Sequence, residues 1–187
     1  MKNKKTVEIP QKDNLKIAII GHSGSGKSTL AAFLGERFSV PVLHIDTIHF
    51  LPDWVERQRE DERAIMRAFL DENDKTGWVI DGNYTKLEYE RRLEECDLLI
   101  YMNFGRFDCF FRAWRRSLKY RNKSRPSIAE GCNEKFDRSF MWWILKRGRT
   151  KEKLARYDAL VEKYSDKSIV IKNQRQLDRF ISSIECK

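Results

Sequence analysis

The sequence predicts an α/β fold, a five-stranded parallel sheet covered by helices on both faces, and three observations predict it. Short apolar runs recur at positions 15–20, 41–46, 78–80, 98–102 and 168–171. They are continuous rather than alternating, as expected for strands buried on both faces. Each is followed by a longer stretch that carries apolar residues at helical spacing, the pattern of βαβ units. The first strand-to-helix junction is Gly21-His22-Ser23-Gly24-Ser25-Gly26-Lys27-Ser28, a glycine-rich turn of the form G-x-x-x-x-G-K-[ST].

Taken in order, Leu15-Lys16-Ile17-Ala18-Ile19-Ile20 is the first strand, and residues 29–38, from Thr29 on, form the first helix. A second buried strand, Pro41-Val42-Leu43-His44-Ile45-Asp46, ends in a carboxylate. A loop through Pro52-Asp53-Trp54 leads to a helix over about 56–73, whose packing face is expected from Ala64, Ile65, Ala68 and Phe69. Trp78-Val79-Ile80 is a third strand, closed by Asp81-Gly82-Asn83-Tyr84, and a charged helix covers 86–95. Residues 98–102 form the fourth strand, 107–120 a helix, 134–146 and 151–164 two more, 168–171 the last strand, and a helix follows from 174. A single domain spans 1–187. It includes a basic N-terminal tail over about 1–12 and a polar, proline-bearing segment over about 121–135 that reads as a lid.

The junction at 21–28 is a phosphate-binding P-loop when it joins a strand to a helix. Its glycines let successive N–H groups point inward, and the helix N-terminus adds partial positive charge. Gly21, His22, Ser23, Gly24, Ser25, Gly26, Lys27, Ser28 and Thr29 are therefore the expected ATP-binding residues. Lys27 reaches the β- and γ-phosphates, and the Ser28 hydroxyl ligates Mg²⁺.

Composition limits the remaining possibilities. No apolar run approaches the length of a membrane span, and no apolar signal-peptide core follows the basic start. Cys96, Cys109, Cys132 and Cys186 are scattered without metal-ligand spacing, which fits reduced thiols in the cytoplasm. The net charge of +9 is concentrated between Arg106 and Arg125, where eight basic residues face Asp108 alone. Such density asks for a polyanionic partner, either nucleotide phosphates or nucleic acid.

Three segments resemble the nucleoside-monophosphate kinase group, the relatives of adenylate and shikimate kinases. Gly77-Trp78-Val79-Ile80-Asp81-Gly82-Asn83-Tyr84 is similar to the strand-ending Asp-Gly segment of adenylate kinases, which implies that Asp81 assists Mg²⁺. Residues 97–116 resemble the fourth strand and lid-leading helix, which implies adenine stacking by Arg112 and a phosphate contact by Arg116. Arg147, Arg149 and Arg156 follow the lid, where the group supplies arginines to the transferring phosphoryl. Asn83-Tyr84 replace the Phe-Pro-Arg of adenylate kinases, so the arginine that grips AMP is absent. Over about 15–181 the chain is similar to the topology modulation proteins, small bacterial P-loop proteins. The segments that carry this likeness include His44-Ile45-Asp46, Trp54-Val55-Glu56-Arg57, Arg125-Pro126 and Glu130-Gly131-Cys132. That label implies an effect on DNA topology.

From the residues themselves, Asp46 lies at the carboxyl edge of the sheet, where open α/β folds hold ligands, and is expected to orient or deprotonate an acceptor hydroxyl. Asn83 and Tyr84 face the same crevice as substrate contacts. Arg112 and Arg116 share one helix face. Arg147 or Arg149 is expected to neutralise charge on the transferring phosphoryl group. Each has a plainer use as well: a turn cap for Asp46, a turn pair for Asp81-Gly82, a solvated basic helix for the arginines. Phe110, Phe111 and Trp114 are expected as the core stripe of their helix, and Trp142 and Trp143 as core or lid packing. The resulting expectation is a Mg²⁺- and ATP-dependent small-molecule kinase of unknown acceptor. The alternative is a nucleotide-dependent DNA-binding regulator, for which the sequence shows no DNA-reading module.

Overall fold

The computed structural model describes residues 9–121, 123–134 and 136–185. Most of the expected basic tail, positions 122 and 135 of the expected lid, and Cys186 lie outside them. The central sheet runs β1 (Lys16–Gly21), β2 (Val42–His44), β5 (Trp78–Asp81), β6 (Leu98–Met102) and β7 (Ser168–Ile171). All pairings are parallel, in the spatial order β2-β5-β1-β6-β7. The strand β1 that leads into the glycine-rich loop therefore lies at the centre, and the strand order reverses beside it, which opens a crevice at the carboxyl edge.

Period-two alternation sorts each strand between two cores. Ile17 and Ile19 join Val79, Leu98 and Ile100 under α1 (Lys27–Phe38), α5 (Arg106–Lys119), α6 (Arg138–Leu145) and α8 (Gln174–Glu185). Ala18 and Ile20 join Ile80, Leu99 and Tyr101 under α3 (Arg59–Glu72), α4 (Tyr89–Glu95) and α7 (Lys151–Lys163). The central strands β1, β5 and β6 are apolar through their interiors because each face is buried by one of these layers.

The elements depart from expectation in four places. The second strand stops at His44, and Asp46 sits in a one-turn helix, α2 (Ile45–His49). The loop expected before α3 contains a short antiparallel ribbon, β3 (Phe50–Leu51) with β4 (Val55–Glu56). The α3 packing face is Glu62, Met66 and Leu70 with Phe69 beside them as expected, while Ala64, Ile65 and Ala68 are exposed, so the buried stripe is turned away from the expected one. The helices expected over 86–95 and 134–146 are shorter, since Arg92 and Asp137 determine what precedes them. Arg92 gathers the 82–87 loop, and the Asp137 side chain caps α6 through Phe140 N–H at 2.8 Å.

Segment 123–134 is laced shut and packed on the β3–β4 ribbon. The Glu134 amide donates to Lys123 O at 3.2 Å. The Cys132 thiol reaches Leu51 O at 3.1 Å, and Trp54 Nε1 donates to Asn133 O at 2.9 Å. Ile128 and Cys132 are buried beneath it.

Candidate active site

The carboxyl ends of β1, β2 and β5 open into a cleft of about 1820 Å³. The P-loop forms its floor. Gly24 and Gly26 adopt positive φ (80° and 98°), and a Cβ at Gly24 would stand 2.3 Å from Cys109 O, so only glycine fits where the loop passes α5. No acidic side chain occupies the first turn of α1, and its N-cap Gly26 provides no capping oxygen. The free N–H groups are left for an anionic ligand. Lys27 Nζ donates to His22 O at 3.1 Å, folded against its own loop. Burial pushes its ammonium below the usual value, and the Asp81 and Asp46 carboxylates oppose that shift.

Asp81 ends β5 directly across from this loop. Ser28 Oγ donates to Asp81 Oδ2 at 2.9 Å, while Asp81 Oδ1 pairs with His44 Nδ1 at the end of β2. One hydroxyl and one carboxylate oxygen side by side suit Mg²⁺, which takes most of its oxygen ligands from phosphates and water. Among the described residues no group of three or more His, Cys, Asp or Glu forms a complete protein cage. The donor set fits an ion carried in with a nucleotide.

Arg112 and Arg116 enter from α5, one turn apart, with different surroundings. Arg112 donates to Ser25 O at 2.8 Å and to Gln174 Oε1, and its guanidinium lies 4.3 Å from the Phe104 ring centre. With Asp108, Phe111, Arg115, Asn173 and Arg175 these groups line a side recess of about 650 Å³ beside the P-loop. Arg116 is drawn instead to Glu134 at 2.6 Å. Arg125 joins the same carboxylate at 3.3 Å and reaches Asp46 Oδ2 at 3.3 Å. Burial and the neighbouring Arg125 lower the Arg116 pKa, against the pull of Glu134.

Asp46 and Tyr84 form a pair, with the phenol donating to Asp46 Oδ1 at 2.8 Å. Burial and the Asp46 charge raise the Tyr84 pKa, so the hydroxyl keeps its proton. The 82–87 loop holds Tyr84 in place through Arg92, which is 2% exposed. Its guanidinium donates to Leu87 O at 2.9 Å and Tyr84 O at 2.8 Å, and burial pulls its pKa to about 10. Asn83 turns the other way: its amide brackets the Gly21 backbone, receiving the N–H at 2.8 Å and donating to the carbonyl at 2.5 Å. It braces the start of the P-loop.

Arg149 lines the cleft, donating to Phe104 O at 2.8 Å and to the Cys109 thiol at 3.1 Å. Arg147 is exposed and lies outside the cleft lining, because the 3₁₀ turn Arg147–Arg149 sends the two side chains apart. Four participants went unassigned from the sequence. His44 orients Asp81, Glu134 gathers two arginines, Arg125 reaches Asp46, and Arg92 fixes the Tyr84 loop. Only His44 and Arg125 had a visible signal, namely their places within segments that resemble other P-loop proteins.

No protein-family model matches the chain, and no curated protein matches it. Solved structures do. Shikimate kinase from Acinetobacter baumannii, in complex with shikimate, superposes with a TM-score of 0.54 at 17% identity, covering 92% of each chain. Deoxyadenosine kinase from M. mycoides with bound dATP gives 0.51 at 16% identity, over 91% of this chain and 100% of that one. A gluconokinase from Sinorhizobium meliloti 1021 gives 0.51 at 14% identity, over 90% and 88%. At these identities the likeness concerns the fold, which is that of the P-loop kinases, built on a five-stranded parallel sheet.

Proposed function

We propose that this chain is a Mg²⁺-dependent phosphotransferase that moves the γ-phosphoryl group of ATP to a small hydroxyl- or phosphate-bearing acceptor. The observation that carries this reading is the opposition, across one cleft, of Lys27 and the Ser28–Asp81 pair to the Asp46–Tyr84 pair. Phosphoryl transfer needs positioning and charge stabilisation more than covalent chemistry, and such an arrangement supplies both.

The P-loop amides and Lys27 hold the β- and γ-phosphates. The recess between Phe104, Arg112 and Gln174 takes the donor base, with the Arg112 guanidinium available to stack on it. Ser28 and Asp81 would hold Mg²⁺, which would supply positive charge to offset that of the phosphates. Arg149, already at the cleft wall, is the arginine that faces the transferring group. Asp46 receives the acceptor hydroxyl proton, and Tyr84, held protonated, fixes the orientation of that carboxylate. Arg116 and Arg125 are the cations nearest the acceptor.

The likeness to topology modulation proteins and the exposed basic residues Arg106, Arg115, Lys119, Arg121 and Lys123 motivate the competing reading, a nucleotide-dependent DNA-binding regulator. The ion pairs of Arg116 and Arg125 favour the kinase, since these two cations are engaged inside the cleft instead of facing outward. Among the described residues no helix is long and apolar enough to cross a membrane. The buried, unpaired thiols Cys96, Cys109 and Cys132 suit a reducing cytoplasm.

An acceptor screen for ADP release tests the proposal. ATP consumption that requires one class of nucleoside, nucleotide or other metabolite supports it, with Lys27→Ala as the inactive control. ATP turnover indifferent to every acceptor, together with salt-sensitive binding of duplex DNA, overturns it in favour of the regulator.

A further inference from the structure

The outer face of α5 carries an apolar stripe that the fold leaves open. Phe107, Phe111, Trp114 and Leu118 are 66%, 54%, 44% and 56% exposed. At about 100° per residue the four side chains fall within a sector of about 60°, opposite the inward face formed by Cys109, Ala113 and Arg116. Three large aromatic rings and a leucine in one line are unusual on the surface of a monomer. The expectation that Phe111 and Trp114 join the core does not hold; Phe110, one position before, packs inward instead.

We infer that this face pairs with the same face of a second copy of the chain, α5 against α5 and antiparallel. The charges flanking the stripe select that occupant. One flank carries Asp108, Arg115 and Lys119, and the other carries Arg106 and no acid. In an antiparallel helix pair each flank meets its own counterpart. A two-fold axis at the level of Arg112 and Ala113 sets Phe107 against the partner's Leu118 and Phe111 against the partner's Trp114. The same operation places Asp108 between the partner's Arg115 and the partner's Lys119, and does so twice, as an isologous interface requires. A parallel pair sets Arg115 and Lys119 against the flank of Arg106, where they meet no acid. Among the described residues neither Asp108 nor Arg115 has an ion-pair partner within its own chain; with Phe111 both stand at the rim of the recess proposed for the donor base, so the pairing would close that rim without using Arg112 or Gln174.

Sedimentation velocity of the full chain at tens of micromolar tests the pairing. The wild type sediments as a dimer, while Trp114→Glu and Leu118→Glu sediment as monomers with unchanged circular dichroism. Asp108→Lys raises the dimer dissociation constant about tenfold, from two lost ion pairs of ordinary strength. The triple change Asp108→Lys, Arg115→Glu, Lys119→Glu restores it, because the reversed charges remain complementary. Phe107→Cys with Leu118→Cys forms an intermolecular disulfide; within one helix these positions lie about 16 Å apart and cannot be bridged. A monomeric wild type overturns the inference, as does a dimer indifferent to Trp114→Glu, or cross-linking by Phe107→Cys alone as efficiently as by the pair. A monomer that captures anionic vesicles or DNA through these residues overturns it too, and assigns the face to that ligand.

Discussion

The two halves of the cleft are built on different principles. The donor half is backbone: a loop whose conformation is imposed by glycines, braced by Asn83 and closed by one hydroxyl–carboxylate pair. The acceptor half is side chain: Asp46, Tyr84, Arg125, Glu134 and Arg116 arrive from four separate segments and hold one another by charge. A backbone site binds any ligand with the right phosphates. A side-chain site can be retuned residue by residue, so on the proposed reading acceptor specificity belongs there.

If the donor half is generic machinery, removing its cation produces the largest loss. Lys27→Ala is expected to lower kcat/KM by about 10³-fold or more, the scale of a principal charge stabiliser of phosphoryl transfer. Folding stability is expected to hold, since among the described residues the ammonium's one hydrogen bond is to its own loop. Steady-state kinetics with a matched thermal melt check both, and undiminished turnover would remove Lys27 from the mechanism. Asp81→Asn comes next. It keeps the shape but loses the charge that Ser28 and His44 share, and is expected to cost about 10²-fold with a higher Mg²⁺ requirement. A Mg²⁺ titration of initial rates measures it; an unchanged requirement would assign Asp81 to packing alone.

The same contrast explains what was legible in the sequence. A backbone site has a contiguous signature, so residues 21–28 declare themselves, and five apolar runs place the sheet around them. A side-chain site is assembled by topology. Glu134 is nearly ninety positions from Asp46, and nothing local distinguishes it from any lid glutamate. Asp46 was expected at a strand end and sits instead in α2, since the chain leaves the sheet at His44, whose ring is committed to Asp81. Arg147 and Arg149 were inseparable as sequence, because a 3₁₀ turn of three residues decides which side chain faces the cleft. The α5 aromatics misled for a related reason: helical spacing identifies a stripe but not whether the fold covers it.

Within the acceptor half, Glu134 is the joint. Its side chain is 2% exposed and serves both Arg116 and Arg125. Removing one partner of a buried ion pair strands the other charge, at about 3–5 kcal/mol in general. Arg125 keeps Asp46, so Glu134→Gln is expected to cost about 3 kcal/mol in denaturant unfolding. It is also expected to raise KM for the acceptor while leaving that for ATP close to its original value. An ATP KM that rises in step would place Glu134 on the donor side and collapse the distinction between the halves.

The smallest expected effect separates the halves by acid. His22, in the P-loop, is 5% exposed, 5.7 Å from the Tyr157 ring and 6.1 Å from that of Tyr101. Burial, then the nearby Arg149 and Lys27 charges, pulls its pKa from 6.5 down to about 4, against the raising effect of its hydrogen bonds. A folded-state value below the unfolded one means that, as pH falls through 6.5, the unfolded chain takes a proton the folded chain refuses. Stability from this source is complete at neutral pH, declines between pH 6.5 and 4, and is level below that. The loss at pH 4.5 is expected at about 2 kcal/mol. His22→Gln removes the titration while retaining a polar side chain, and carboxylate titrations common to both proteins cancel in the comparison. Urea unfolding at pH 7 and pH 4.5 should therefore show the wild type losing about 2 kcal/mol more than the variant. Equal acid losses would mean that His22 binds its proton as readily in the folded chain as out of it, and that the P-loop is no more sensitive to acid than the acceptor half.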